Sequence, residues 1–159
     1  MAARKKGKPA SAEKSSTGAS RVAEGLYVGG WQDATSFVGA RFCVLDEPEE
    51  GAPADAQIPI YDGARKSALP ANLDRIAELA RAARAKGQHV LMFCGHGVRR
   101  GPLAAAWYLR KVEGGTIEGA YAKIRAVRPQ VEAASEWIRH WVDPDTPPSR
   151  SSRSAKSSR

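Results

Sequence analysis

The chain has 159 residues, 42% of them hydrophobic, with a formal charge of +8 and two cysteines. That is enough for one domain with a real core, and too few cysteines for a disulfide framework. No apolar run reaches the length of a bilayer span and the basic, Ser-rich N-terminus lacks an apolar signal region, so a soluble, cytoplasmic protein with free thiols is expected.

The basicity belongs to the ends. Residues 1–21 sum to +5, residues 144–159 to +3, and residues 22–143 to zero, with 15 basic and 15 acidic side chains. Both ends are rich in Ser, Ala and Pro and poor in aromatics, a composition that cannot bury enough apolar surface to fold. Residues 1–21 are expected as a disordered basic tail, 143–159 as a disordered Ser/Arg-rich tail, and 22–142 as the folded domain. The tails suit solubility, or weak, salt-sensitive contact with anionic partners.

Leu26-Tyr27-Val28, followed by Gly29-Gly30, reads as a short strand and turn. Phe42 to Leu45 reads as a second strand, ended by the acidic, Pro- and Gly-bearing loop from Asp46 to Ala56. Ile58-Pro59-Ile60 reads as a third, which its proline places near a sheet edge. A helix follows, with Pro70 in its first turn, Leu73, Ile76, Ala80 and Ala83 on one face, and Gly87 as its stop. His89 to Phe93 is continuously apolar after its first residue, the pattern of a strand covered on both faces. Pro102 opens a helix through Val112, which Gly114-Gly115 ends. Thr116 caps the next, with Ile117, Ala120, Tyr121, Ile124 and Val127 at helical spacing until Arg128-Pro129. Trp137, Ile138, Trp141 and Val142 mark a last amphipathic helix. This alternation predicts an α/β architecture, a small central sheet with helices packed on it.

Cys94 ends the apolar strand and precedes a glycine-bearing loop, Gly95-His96-Gly97-Val98-Arg99, with Arg100 at the helix start. A thiolate is the nucleophilic form of cysteine, and loop amides together with a helix N-terminus favour an anion. Gly95 and Gly97 let the backbone curl so that successive N–H groups face one oxyanion. Arg100 can bind two oxygens of the same oxyanion with its planar fork. Such a constellation holds a phosphate ester against a thiolate, which attacks phosphorus and forms a phosphocysteine. Asp62, on a loop after a strand, is a candidate general acid for the leaving oxygen and a candidate base for the water of the second step.

Cys94 to Arg100 resembles the Cys-x5-Arg signature of the cysteine-dependent phosphatases, with Gly97 at the signature's usual glycine. The rest resembles the dual-specificity branch. Gly25-Leu-Tyr-Val-Gly29 is similar to its opening strand, and Ile58-Pro-Ile-Tyr-Asp62 to the strand and loop that bring the general acid. Lys86 to Cys94, Leu103 to Arg110 and Ile124 to Pro129 are similar to its run into the signature, the helix after it and its late helix end. The match spans residues 22–142. It implies a protein tyrosine phosphatase-like fold with a small, mostly parallel sheet flanked by helices. It implies Cys94 as nucleophile, Arg100 as phosphate clamp, Asp62 as general acid, and no cofactor. The phosphate site would be Gly95, His96, Gly97, Val98, Arg99 and Arg100, and the substrate a phosphorylated protein or other phosphate monoester. Two positions depart from the pattern: Phe93 stands where the family has His, and Gly101 where it has Ser or Thr. Both remove hydrogen bonds near the thiol, which implies reduced turnover, slowest at phosphocysteine hydrolysis.

Plainer readings stand beside these. Cys94 could be a buried structural thiol and Asp62 an ordinary turn residue. Cys43, alternating with Phe42 and Val44, reads as core, and His89 and His140 as structural. His96 and Arg99 read equally as substrate contacts at the pocket rim or as solvated side chains. The Cys and His residues lack paired ligand spacing, so no metal site is expected. The competing functions are a phosphate-binding module without useful turnover, a rhodanese-like sulfur carrier, and an RNA 5′-triphosphatase or phosphoinositide phosphatase of the same superfamily. Arg100 and Asp62 argue against the sulfur carrier.

Overall fold

The computed structural model describes residues 18–47 and 51–138. Its elements, in chain order, are β1 (Ser20–Ala23), β2 (Leu26–Gly30), α1 (Trp31–Ala34), β3 (Ala40–Cys43), β4 (Ala56–Gln57), β5 (Tyr61–Asp62), β6 (Ser67–Ala68), α2 (Pro70–Ala85), β7 (Val90–Cys94), α3 (Arg100–Glu113), α4 (Ile117–Val127) and a 3-10 turn at Ser135–Trp137. Five strands form one sheet in the order β1-β2-β7-β3-β4, and β5 and β6 form a separate two-stranded hairpin. Only β1 runs antiparallel to its neighbour, so the sheet is mostly parallel, as expected. None of the described helices is long and apolar enough to cross a membrane.

The central strand β7 shows why His89 to Phe93 lacks alternation. Both its faces are covered, and all five of its residues are buried. Val90, Met92 and Cys94 join the main core, with Leu26, Val28, Leu73, Ile76, Leu103 and Ile124. Leu91 and Phe93 point to the other face and pack with Cys43 and Ala34. Cys43 is therefore core, as read from the sequence, and both cysteines are free thiols. His89 packs its ring against Tyr27, 5.6 Å between centroids.

Several boundaries differ from the sequence reading. Gly29 and Gly30 continue β2 instead of forming a turn, and β3 lies two residues earlier than expected. Ile58-Pro59-Ile60 is not a strand. Ile58 N–H donates to Cys43 O at 2.8 Å, but Pro59 has no N–H with which to extend the ladder. The chain leaves the sheet there and forms the β5–β6 hairpin. Helix α3 begins at Arg100, two residues before Pro102, because the first-turn amides need no intrahelical partner and a proline among them costs no hydrogen bond. The last amphipathic helix is a 3-10 turn, Ser135–Trp137; Trp141, Val142 and His140 lie outside the described residues. Residues 18–21, assigned to the basic tail by composition, belong to the fold. Ser20 and Arg21 pair with Val28 and Tyr27 in β1, and Gly18 O and Ser20 Oγ accept hydrogen bonds from Arg128. The remaining residues of both expected tails, 1–17 and 143–159, lie outside the described residues.

Candidate active site

The apolar burial of β7 carries Cys94 to the C-terminal end of the central strand, opposite Gly30 of β2. Ligands of parallel α/β sheets gather at that end. Cys94 is buried, and its Sγ accepts a hydrogen bond from the Gly101 N–H at 3.2 Å. The first turn of α3 therefore points an otherwise unpartnered amide at the sulfur. Gly101 has no side-chain hydroxyl, so its backbone N–H is its one donor to the sulfur.

Between Cys94 and α3 the chain makes a tight loop. Gly97 has φ +71°, and a Cβ there would stand 2.6 Å from Arg128 Nη2 and 2.8 Å from the Gly29 carbonyl carbon. Gly30 is as constrained: a Cβ would meet Gly95 O at 2.8 Å. Glycines thus let β2 and the loop approach each other backbone to backbone.

Arg128 is the residue that the sequence reading missed. It was read only as the end of α4, yet its buried guanidinium spans the back of the loop. Nε donates to Gly97 O at 2.9 Å and Nη2 to His96 O at 3.1 Å. Nη1 reaches Gly18 O and Ser20 Oγ, each at 2.9 Å. With two successive carbonyls turned outward to Arg128, the peptide planes they belong to turn their N–H groups the other way. Burial holds the Arg128 pKa below its ordinary value, while the charges of Asp33 and Cys94 push it back up. The only local signal was an Arg-Pro pair after an amphipathic helix, which carries no information about what the side chain reaches.

The predicted site residues are placed unevenly. Arg100 stands at the first position of α3, its guanidinium carbon 5.3 Å from the centroid of the Tyr61 ring. It has no ion-pair partner among the described residues. Arg99 is taken up differently: it pairs with Glu136 and, at 3.9 Å, with Glu132, and lies 4.6 Å over the Trp137 ring. Its guanidinium is thus engaged by two carboxylates and a ring while the side chain stays partly exposed. His96 is exposed and, with Gly95, Val98, Trp31, Asp33, Arg128 and Gln130, borders a cavity of about 290 Å³ beside the loop. Val98 is half-buried, and its carbonyl accepts from Glu132 N–H at 2.9 Å.

Asp62 lies on β5, next to the Tyr61 that touches Arg100. Its Oδ1 accepts from the amides of Ala64 and Arg65 at 3.0 and 3.4 Å, so the carboxylate closes its own turn. The hairpin is brought to the Arg100 side of the loop, and the carboxylate is held within the hairpin. Phe93, where the family has His, is fully buried on the opposite face of the sheet. No three His, Cys, Asp or Glu side chains among the described residues are grouped as metal ligands.

No family model and no curated protein sequence matches the chain. Solved structures do. Human DUSP28 has a TM-score of 0.67 at 22% identity, over 77% of this chain and 90% of its own. A mouse putative dual specificity phosphatase, solved with zinc tungstate, has a TM-score of 0.66 at 22% identity, over 82% and 89%. The human tyrosine phosphatase-like serine/threonine/tyrosine-interacting protein has a TM-score of 0.64 at 13% identity, over 77% and 92%. These proteins and the present chain share one fold.

Proposed function

We propose that this chain, which has the dual-specificity phosphatase fold, hydrolyses phosphate monoesters through a phosphocysteine. The observation that carries the reading is the Cys94 sulfur, hydrogen-bonded by Gly101 N–H at the start of α3 inside a loop whose carbonyls Arg128 holds outward. In the first step the Cys94 thiolate attacks phosphorus. The P–O bond to the leaving group breaks, and Asp62, in its carboxylic acid form, gives the leaving oxygen a proton. Arg100 and the loop amides of Gly95 to Arg100 hold the phosphoryl oxygens. In the second step Asp62 takes a proton from water, water attacks phosphorus, and the S–P bond breaks to release phosphate. A phosphorylated protein is the substrate class we favour. Two separate free thiols suit a reducing compartment, the cytoplasm.

A second reading is a phosphate-binding module. The Asp62 carboxylate, engaged by the amides of Ala64 and Arg65, supports it, because a general acid must leave that turn to protonate a substrate. Hydrolysis of para-nitrophenyl phosphate separates the two. The phosphatase reading expects vanadate-sensitive turnover that Cys94→Ser abolishes. Binding of phosphate without turnover favours the module, and turnover that survives Cys94→Ser refutes the nucleophile.

A further inference from the structure

The hairpin that carries Asp62 is too small to hold itself in place. It pairs only Tyr61 with Ala68 and Asp62 with Ser67, and it lies outside the five-stranded sheet. A two-stranded ribbon is marginal in water even when longer than this one. Its position relative to Cys94 must therefore come from whatever packs on it.

Trp137 touches both of its strands. The Trp137 and Tyr61 rings lie 4.0 Å apart between centroids and 32° from parallel. The Ser67 hydroxyl donates to Trp137 O at 3.3 Å. The segment that carries Trp137 is in turn bound to the phosphate loop. Glu136 pairs with Arg99, whose guanidinium lies over the Trp137 ring, and Glu132 N–H donates to Val98 O at 2.9 Å. It is anchored below as well: Ala134 N–H donates to the Tyr121 hydroxyl at 3.1 Å, and Arg125 Nε to Val131 O at 3.1 Å. The hairpin closes the circuit by laying Tyr61 against Arg100.

We infer that Trp137 is a positioning residue for the reaction: its ring clamps the Asp62 hairpin to the phosphate loop and so sets where the Asp62 carboxyl stands over the leaving oxygen. The inference rests on Asp62 being the general acid. Misplacement by about 1 Å is enough to cost on the order of a hundredfold in rate. The cost falls on substrates whose leaving group needs the proton, since a leaving group that departs readily as an anion draws little on the acid.

The test compares kcat for phenyl phosphate, a poor leaving group, with kcat for 2,4-dinitrophenyl phosphate, a good one. Trp137→Leu removes the ring stack and leaves a smaller apolar side chain, Trp137→Phe keeps a ring, and Asp62→Asn removes the acid. Thermal melting and the rate of Cys94 alkylation by iodoacetamide report whether the fold and the loop survive. With both near wild type, Trp137→Leu is expected to lose at least about tenfold more on phenyl phosphate than on the dinitrophenyl ester, and Trp137→Phe to recover most of it. If Asp62→Asn shows that leaving-group dependence and Trp137→Leu does not, the clamp is refuted and the acid assignment stands. If Asp62→Asn shows none, the acid assignment fails and the clamp falls with it. Should Trp137→Leu melt out, the comparison passes to Tyr61→Leu, which removes the other ring of the stack and leaves Trp137 in place; equal loss on both esters then overturns the clamp.

Discussion

Gly101 and Phe93 both depart from the family pattern beside the nucleophile, yet they behave differently. Gly101 lies against the sulfur. A Cβ there would stand 3.4 Å from Cys94 Sγ and 3.2 Å from Met92 O, so a serine fits after a shift of a few tenths of an ångström. Its hydroxyl would add a donor to a leaving thiolate, a charge-assisted hydrogen bond of about 1.5 kcal/mol, or roughly tenfold in rate. Gly101→Ser is therefore expected to raise steady-state turnover about tenfold and to shrink the pre-steady-state burst. An unchanged steady rate would show that the Gly101 amide already suffices, and a slower one that crowding against Met92 O outweighs the added donor. Phe93 is another matter. Alternation along β7 turns it to the face of Leu91, Cys43 and Ala34, so it is a core side chain on the far side of the sheet from the main core. The sequence marked both positions as lost hydrogen bonds; only their placement separates a vacancy at the sulfur from a filled core.

At the scale of elements, a polar node joins α2 and α3 beside their apolar contacts. Asp74 of α2 accepts from Trp107 Nε1 at 2.8 Å and from Lys111 Nζ at 3.0 Å, both on α3. Partial burial pushes the Asp74 pKa upward, but the bonds from Trp107 and Lys111 and the charges of Lys111 and Arg110 outweigh it. The net value lies below the usual 3.8. A carboxylate held down in the fold contributes stability above its unfolded pKa and loses it as pH falls through the folded value. The node is half exposed to solvent, so its contribution is under about 1 kcal/mol. Asp74→Asn is expected to lower the urea midpoint slightly at pH 7 and to lose that difference from wild type in acid well below 3.8, once the pH has fallen through the folded value. An equal deficit at both pH values would disprove the electrostatic account. The helices themselves were legible: α2 follows Pro70 and stops before Gly87, and Thr116 Oγ1 caps α4 by accepting from Gly119 N–H at 2.9 Å. The β5–β6 hairpin was not, because two-residue strands leave no period to read.

Across the whole molecule, the segment after α4 is held by groups from α4, from the loop after β7 and from the β5–β6 hairpin. The Tyr121 hydroxyl supports it through Ala134, and burial is the main cause that pushes this phenol up to about 12 from 10.0. The unfolded chain therefore ionises first. Stability is full below pH 10.0 and declines as pH rises toward 12, since the unfolded state binds fewer protons over that window. Tyr121→Phe is expected to cost stability at pH 7 and to flatten the alkaline decline; a variant that declines as steeply as wild type would rule out Tyr121 as its source. Much of this protein could be read directly from its sequence. The apolar run to Cys94, the glycines of the loop, Arg100 at a helix start and the 3.6-residue periods of α2 and α4 are local patterns, and local sterics and burial translate them into strands, turns and helices. What faces what was decided by the tertiary structure. Arg128 reaches back over 31 residues to Gly97 and 110 to Gly18, Arg99 is drawn to Glu136, and Trp137 meets Tyr61. Such contacts leave no period or spacing in the chain, because they form only when packing of the core brings distant segments to the same end of the sheet.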